Sequence, residues 1–315
     1  MAIYTSATAI GEREDLSDVI YRVDPDETPL FSNAKKETTK GIYHEWQVQE
    51  LASAVDTNYV NEGADFSYAN PSPTTRVGNY HQISVQAASV SNTMDIVDKA
   101  GRDKETAMVK VLKGLEQRRD INKSLYKNEA SSSSDPRKAG KLITWISNVD
   151  KPSDMAAAAN GNGTAAADLT GTAAALTLAK IDAAMLAAYS DGGAPNMLLM
   201  SPTNKQNFSG LSSGSVSTNQ ITYTAPREAS IIGSVSLYLS DFGELSVTVD
   251  RQCPNSEMYL IDTDYVCLGS LPGRMFSVSD VASTGDATKF AIVSEWTLIV
   301  KAPKAHAAVI GLNGS

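Results

Sequence analysis

Hydrophobic and polar side chains alternate along residues 80–87, YHQISVQA. A period of two is typical of a β-strand with one covered face and one exposed face. Tyr43–Leu51, YHEWQVQEL, shows the same alternation around Trp46 and Val48. The pattern therefore predicts a two-stranded antiparallel ribbon in which Tyr43–Leu51 pairs with Asn79–Val90.

A long connection joins these two predicted strands. Residues 52–78 contain few large apolar side chains, chiefly Val55, Tyr59, Val60, Phe66 and Tyr68. An isolated ribbon is only marginally stable in water, and a connection this long without secondary structure is uncommon in a compact domain unless it has a function. Such a flap also exposes strand edges, which assemblies pair with a neighbour. We therefore expect the flap and the apolar face of residues 80–87 to lie against another copy of the same chain.

Residues 103–128 carry the longest helical pattern. Their apolar residues recur at helical spacing: Met108, Val111, Leu112, Leu115, Ile121 and Leu125. A helix of this length is about 39 Å long. One face of this helix carries Lys110, Lys113, Arg118, Arg119 and Lys123. A basic face of this kind could bind phosphate, but Glu116 and Asp120 are interleaved with it, so a face exposed to solvent is the alternative.

The remaining patterns mix helices and strands. Thr177–Tyr189 predicts a second amphipathic helix, and Ser201 is placed to cap a third that begins at Pro202. Strands are predicted at residues 137–149, at 196–200 and repeatedly after residue 231, ending with the longest, Phe290–Val300. Residues 1–42 are polar and weakly periodic, which predicts an arm. Because the order contains no βα repeat, the fold class is predicted as α+β.

Composition restricts the class of protein. The chain has 315 residues, 42% of them hydrophobic and 20% charged, which is typical of a globular protein. Its formal charge of -9 gives no general attraction for nucleic acid. No apolar run reaches the roughly 20 residues of a membrane helix and no signal peptide is visible, so we expect synthesis in the cytoplasm and no membrane partner. Cys253 and Cys267 have no metal-ligand spacing and are predicted as small buried residues.

The sequence contains only weak signals for catalytic or metal-binding residues. The motif GLSSG at residues 210–214 fits a nucleophile elbow, but that elbow requires a strand before the serine and a helix after it, and the sequence predicts neither. The three histidines, His44, His81 and His306, are scattered. His44 and His81 could face each other across the ribbon, where structural packing is the simpler role. We therefore expect no enzymatic activity, no cofactor and no metal site.

Several short motifs, in their order along the chain, resemble one protein family. They are EGAD (62–65), RVGNYHQI (76–83), VSNT (90–93), AGRDKE (100–105), RRDINKSL (118–125), PNMLLMSP (195–202), DFGELSV (241–247) and SEWTLIVKAPKAHAAV (294–309). The chain resembles the major capsid proteins of tailed bacteriophages, which have the Hong Kong 97-type fold. The resemblance extends from Thr5 to Leu312.

The resemblance implies a division of the chain into parts. Residues 1–42 would be the N-terminal arm, and residues 43–93 an extended β-hairpin loop that lies over the neighbouring subunit. Residues 94–150 and 286–315 would form the peripheral domain, with the spine helix at 103–128. Residues 151–285 would form the axial domain.

It also implies a function and partners. The protein would be a virion capsid protein that assembles into hexamers and pentamers, closing an icosahedral shell around double-stranded DNA. Its partners would be other copies of itself, a portal, a decoration protein, weakly contacted DNA on the inner face, and a separate scaffolding protein, since the arm starts within a few residues of Met1. The candidate assembly residues are Trp46, Tyr59, Phe66, Tyr80, Ile83, Val85, Arg118 and Arg119. A nanocompartment shell protein and a phage tail or decoration protein are the alternatives.

Overall fold

A computed structural model describes residues 20–66, 68, 70–155, 161–214 and 236–313. The helices in this part of the chain are α1 (Pro29–Asn33), α2 (Asn92–Ile96), α3 (Glu105–Leu125), α4 (Leu142–Trp145), α5 (Leu178–Ser190) and α6 (Pro202–Gly214). The strands are β1 (Lys35–Thr38), β2 (Tyr43–Val48), β3 (Thr75–Tyr80), β4 (Gln82–Ser91), β5 (Asn148–Asp150), β6 (Met197–Met200), β7 (Leu237–Ser240), β8 (Gly243–Val249), β9 (Glu257–Ile261), β10 (Val266–Ser270), β11 (Ser277–Val281), β12 (Ala287–Val300) and β13 (Ala307–Ile310).

A five-stranded sheet is built around β12. The first part of β12 pairs antiparallel with β4 on one edge and with β11 on the other, while its last part pairs with β10. β1 extends the sheet by pairing parallel to β10. The side chains of Trp296, Leu298 and Val300 on β12 are fully buried, as their shared face in the sequence predicts.

A six-stranded sheet has the order β5-β13-β9-β6-β8-β7. Helices α5 and α6 supply Ile181, Met185 and Phe208 to a hydrophobic cluster with Leu198 and Met200 of this sheet. Ser201 caps α6 as predicted, because its Oγ accepts the Asn204 N–H at 3.2 Å. Mixed helices and sheets confirm the α+β class.

Helix α1 contributes to the main core. Leu30 and Phe31 of α1 are buried, and the Phe31 N–H donates to Asn122 Oδ1 at 2.9 Å. Residues 29–38, which fall within the predicted arm, therefore belong to the fold through the buried side chains of α1 and the pairing of β1 with β10. The predicted domain boundaries remain predictions, although the sheets cross them: β10 and β11 join the sheet of β12, whereas β13 joins the six-stranded sheet.

The predicted partner of the first ribbon strand is wrong. β2 pairs with β3, so His44 lies opposite Asn79 and does not face His81 across the ribbon. β4, which contains most of YHQISVQA, pairs along its full length with β12 of the same chain. The prediction of a strand at residues 137–149 is also wrong, since this stretch forms α4 and ends in the first residues of β5.

The long helix has the predicted position, but only the last two residues of its apolar pattern, Ile121 and Leu125, are buried. α3 buries Gln117, Ile121, Asn122 and Leu125, whereas its apolar stripe, Met108, Val111, Leu112 and Leu115, remains partly or largely exposed. The Gln117 side chain donates to the Ser84 carbonyl at 2.8 Å, and Lys110 lies 5.2 Å from the Phe290 ring centroid. These contacts place the polar side of α3, with Lys110 and Gln117, towards the sheet.

Candidate assembly surfaces

The base of the flap is fixed firmly to the core. The rings of Tyr43 and Tyr80 lie 4.4 Å apart across the ribbon, and Trp46 packs 5.1 Å from Trp145. Asn79 is fully buried: its amide donates to the Leu298 carbonyl at 2.7 Å and its oxygen accepts the Gly140 N–H at 2.7 Å. Packing and hydrogen bonds therefore set the direction in which the flap leaves the body.

Beyond its base, the flap is exposed. We use the term distal flap for residues 49–74, and every described side chain in it is solvent-exposed. Tyr59 is 79% exposed and Phe66 is 75% exposed. The distal flap contacts the body through the ion pair between Glu50 and Lys304, 2.7 Å apart. Large apolar side chains in such a segment are typical of a surface that a partner covers.

A second apolar surface lies on the five-stranded sheet. Paired residues of antiparallel strands share a face. The register therefore places one set of residues together on the face opposite α3, which we call the open face: Ile83, Val85, Ala87, Ala291, Val293, Ser277, Ser279 and Val281. Ile83 is 46% exposed and Val85 is 52% exposed. The open face is bordered at one end by Glu295, which pairs with Arg137 and Arg274 at 3.1 and 3.2 Å.

The two sides of the alternating strand β4 have different surroundings. The edge of β4 that bonds to β12 is satisfied within the chain, and its polar side packs towards α3. Its apolar side, with Ile83 and Val85, is left exposed. The strand partner of β4 is β12 of the same chain, so the predicted pairing with Tyr43–Leu51 was wrong for β4. A second copy as the cover of its apolar face stays a prediction.

The predicted assembly residues fall into four groups. Tyr59 and Phe66 lie on the distal flap, and Ile83 and Val85 lie on the open face. Trp46 and Tyr80 are half-buried at the flap base, where they pack on neighbouring rings, and Arg118 and Arg119 lie on α3. A role in assembly stays a prediction for all eight.

Two contributors to the open face were missed. Val293 and Val281 come from strands almost 200 residues after β4 in the chain. Only the register brings them beside Val85, because the short sequence of β11, SVSDV, places its two valines on opposite faces. No local sequence signal could have found them.

Arg118 is occupied within its own chain. Its Nη2 donates to Ser32 Oγ at 2.7 Å, and its guanidinium lies 5.6 Å from the Phe31 ring centroid. Arg119 is half-exposed and makes no ion pair within the described residues. The two arginines therefore differ: Arg118 holds α1 against α3, and Arg119 is available to a partner.

A buried lysine lies beneath the flap base. The Lys141 ammonium donates to Gln82 Oε1 and lies 4.7 Å from the Trp296 ring centroid. It is fully buried and forms no ion pair with any carboxylate in the described part of the chain. Burial disfavours the charged form and lowers the pKa of Lys141 to about 7.

We expect Lys141→Met to change the pH dependence of stability. The pKa is about 7 in the folded state, against the ordinary value of 10.5, so the unfolded chain binds more protons between these values. The unfolding free energy of the native protein should therefore rise from pH 7 to pH 10, and the variant should lose this part of the rise. Urea denaturation at both pH values measures it, with Lys123→Met on the exposed side of α3 as control. If the unfolding free energy of Lys141→Met rose from pH 7 to pH 10 as much as that of the native protein, the result would contradict the lowered pKa of Lys141.

Little in the described residues supports catalysis. They contain no cluster of three histidine, cysteine or acidic residues able to hold a metal ion. The GLSSG motif forms the end of α6, not the turn of a nucleophile elbow. Cys253 and Cys267 are buried free thiols, as predicted. Across the described ranges, no helix is both long and apolar enough to cross a membrane.

Comparison with known families decides the class. The family model described as SU10 major capsid protein matches residues 3–313. The chain belongs to this capsid protein family. A curated relative, the major capsid protein of Escherichia phage Phieco32, is 28% identical over 128 residues, which are 41% of the chain and 36% of that relative. The match thus spans about a third of the relative's length.

Solved structures share the fold of this SU10-family protein. A capsid protein of cyanophage A-1(L) superposes with a TM-score of 0.69 at 14% identity, covering 98% of both chains. The encapsulin SrpI of Synechococcus elongatus superposes with a TM-score of 0.60 at 12% identity, covering 100% of this chain and 98% of that chain. These matches confirm the Hong Kong 97-type fold, and the family places the chain among phage head shell proteins, a structural class.

Proposed function

We propose that this capsid protein assembles into hexamers and pentamers that close an icosahedral phage head, and that the distal flap of one copy lies on the open face of the next. The observation that carries the proposal is that one chain exposes two apolar surfaces, each uncovered. Apolar surface removed from water contributes about 25 cal/mol per Å². In a closed ring the same contact is repeated between every pair of neighbours. A modest free energy per contact is therefore sufficient to hold the ring together.

The geometry of the flap supports contact with a neighbour. A β-ribbon of about 19 residues per arm, counting β2 and half of the distal flap, reaches roughly 60 Å when extended. β3 is followed by β4 after the single residue His81, so the flap begins at the border of the open face. The apolar side chains of the distal flap nevertheless leave the open face of their own chain uncovered. A second copy can cover both surfaces at once.

Other partners follow from the resemblance and the family alone. We propose a separate scaffolding protein, a portal, a decoration protein and packaged double-stranded DNA, with synthesis in the cytoplasm of the host bacterium. The formal charge of -9 supports weak contact between DNA and the inner face, since tight phosphate binding would hinder packaging.

The first experiment is negative-stain electron microscopy of the protein expressed alone and with the neighbouring phage genes. We expect closed shells or capsomer rings in at least one condition. Shells that need the neighbouring genes would support a scaffolding protein. Monomers in every condition would overturn the proposal.

Variants of the open face test its role. We expect Val85→Asp and Ile83→Asp to lower the yield of shells at least tenfold, because each places a carboxylate in the proposed apolar contact. Both residues are half-exposed in the single chain, so the subunit should still fold. Val278→Asp is the matched control, a valine 52% exposed on the opposite face of the same sheet. Shells at normal yield from Val85→Asp would contradict the flap contact.

A nanocompartment shell is the second candidate, because the encapsulin SrpI shares the fold over its whole length. The contents of purified shells separate the two functions. DNA in shells assembled in an infected cell supports the phage head, and a single co-purified enzyme supports the compartment. The family match gives no support to a tail or decoration protein.

A further inference from the structure

The two free cysteines have different surroundings. Cys253 belongs to the main hydrophobic core, where its thiol donates to the Glu257 carbonyl at 3.7 Å. Cys267 lies on β10, and the residues on either side of it, Val266 and Leu268, belong to that core. Successive side chains of a strand point to opposite faces. The Cys267 thiol therefore lies on the face of the five-stranded sheet that is turned away from the main core.

Two lysines lie beside Cys267 on this face. β1 pairs parallel with β10 in the register that puts Lys35 next to Cys267. On the other side, Ile299 of β12 lies opposite Cys267, and the Lys301 N–H donates to the Tyr265 carbonyl at 2.9 Å, which continues the pairing by one residue. Residues two apart in a strand share a face, so Lys301 and Cys267 are diagonal neighbours across the strand pair.

The Lys301 side chain contacts the thiol. Its Nζ donates to Cys267 Sγ and lies 2.9 Å from the Glu37 carboxylate. The Lys35 ammonium pairs instead with Asp264 at 2.8 Å. Burial raises the pKa of the Cys267 thiol, and the positive charges of the two lysines oppose this rise. Cys267 thus differs from an inert buried cysteine, because its sulfur touches an amine.

We propose that oxidation joins Cys267 Sγ to Lys301 Nζ through a nitrogen–sulfur bond, which links β10 covalently to the end of β12. Hydrogen peroxide oxidises the thiol to a sulfenic acid and is itself reduced to water, and a sulfenic acid condenses with a nearby nitrogen. Glu37 is placed to accept one proton from the Lys301 ammonium. The neutral amine then attacks the sulfur: the N–S bond forms, the S–O bond breaks, and the hydroxyl group leaves as water with the second proton of the amine.

The link is a property of one subunit, because all of its atoms belong to the same chain. It goes beyond the proposed function, which supplies only the setting. Thiols are kept reduced in the cytoplasm, so the link forms once the particle has left the cell. It closes the loop between residues 267 and 301, which restricts the unfolded chain, and the thermal midpoint of the oxidised subunit should rise by several degrees.

Peptide mass spectrometry of the full-length protein tests the link. The purified protein is treated with hydrogen peroxide, its remaining thiols are alkylated, and it is digested with trypsin without reductant. We expect one linked pair of peptides that contains Cys267 and Lys301, with the mass of the two separate peptides less two hydrogen atoms. A thiol reductant added before digestion should separate the pair.

Three controls come from the same chain. Lys301→Arg keeps a positive charge for Glu37 and removes the primary amine, so no linked pair should form. Lys35→Arg is the matched variant, because it changes the other lysine beside Cys267, and its linked pair should form as in the native chain. Cys253, enclosed in the core, should be recovered as a free thiol.

The outcomes separate the link from other reactions. A linked pair in the native protein and in Lys35→Arg, absent from Lys301→Arg, supports the inference. Oxygen retained on Cys267 beside a free Lys301, a link to Lys35, or a Cys267 thiol that survives peroxide unchanged would overturn it. None of these results depends on assembly, so the inference can fail while the proposed function stands, and the reverse also holds.

Discussion

Replacing residues 49–74 by an Asn-Gly turn is expected to give a folded subunit that no longer closes a shell. Val48 and Thr75 form the last pair of the ribbon, so a two-residue hairpin turn fits between them. The deletion removes exposed side chains and the surface ion pair of Glu50 with Lys304, which contributes little to stability. The thermal midpoint should shift by only a few degrees, while shell yield falls below a tenth of the native value.

Two controls separate length from chemistry in the flap. A variant of full length with Tyr59→Ser, Phe66→Ser and Tyr68→Ser keeps the reach and loses the apolar contact, so it should also fail to assemble. A second variant with Thr57→Ser, Asn58→Ser and Asn61→Ser keeps the apolar residues and should assemble normally. Sedimentation of the particles and circular dichroism of the subunit supply the measurements. Normal shells from the shortened chain would remove the flap from the assembly contact.

Trp296→Ala is expected to have the largest effect on the subunit itself. Trp296 is fully buried at the point where β12 pairs with β4 on one edge and β10 on the other. Its indole N–H donates to Ser84 Oγ at 3.0 Å. Removing a buried tryptophan leaves a cavity and costs about 3–5 kcal/mol of unfolding free energy.

Urea denaturation followed by far-ultraviolet circular dichroism measures this cost without relying on tryptophan fluorescence. Trp296→Phe fills part of the cavity and should cost clearly less. Trp46→Ala is a second comparison, because Trp46 is only half-buried and packs at the edge of the core. A loss below about 1 kcal/mol for Trp296→Ala would mean that the sheet closes around the gap.

Local patterns predicted the elements whose own residues determine them. The spine helix, the helix at α5, the cap at Ser201 and the long strand β12 all follow from spacing within a short stretch. The distal flap was also recognised, because its length and scarcity of apolar residues are local properties.

The remaining features depend on residues far apart in the chain. β4 pairs with β12 about 200 residues later, and no local pattern states which strands will meet. The apolar spacing of α3 does not show which of its sides meets the sheet, where Ser84 and Gln86 contact the helix. Gln86 donates to Asp120 at 2.6 Å, so polar contacts join this side of α3 to the sheet. The apolar stripe is left for something outside the single chain.

The same dependence explains the limits of the site prediction. Ile83 and Val85 were recognisable as the apolar side of an alternating strand, and Tyr59 and Phe66 as exposed aromatics in a long connection. Trp46 was not recognisable as a core-packing residue, because Trp145, its contact, lies in a stretch predicted as a strand.

The position of β12 and β13 in the chain has a consequence for synthesis. Each is an interior strand of one sheet, and both lie within the last 29 residues. While the chain is being synthesised, β4, β10 and β11 cannot pair with the central strand until β12 has been made. Neither sheet can close in a chain that stops before residue 287, and such a chain presents no finished open face. Only polypeptides translated through β13 can therefore complete both sheets.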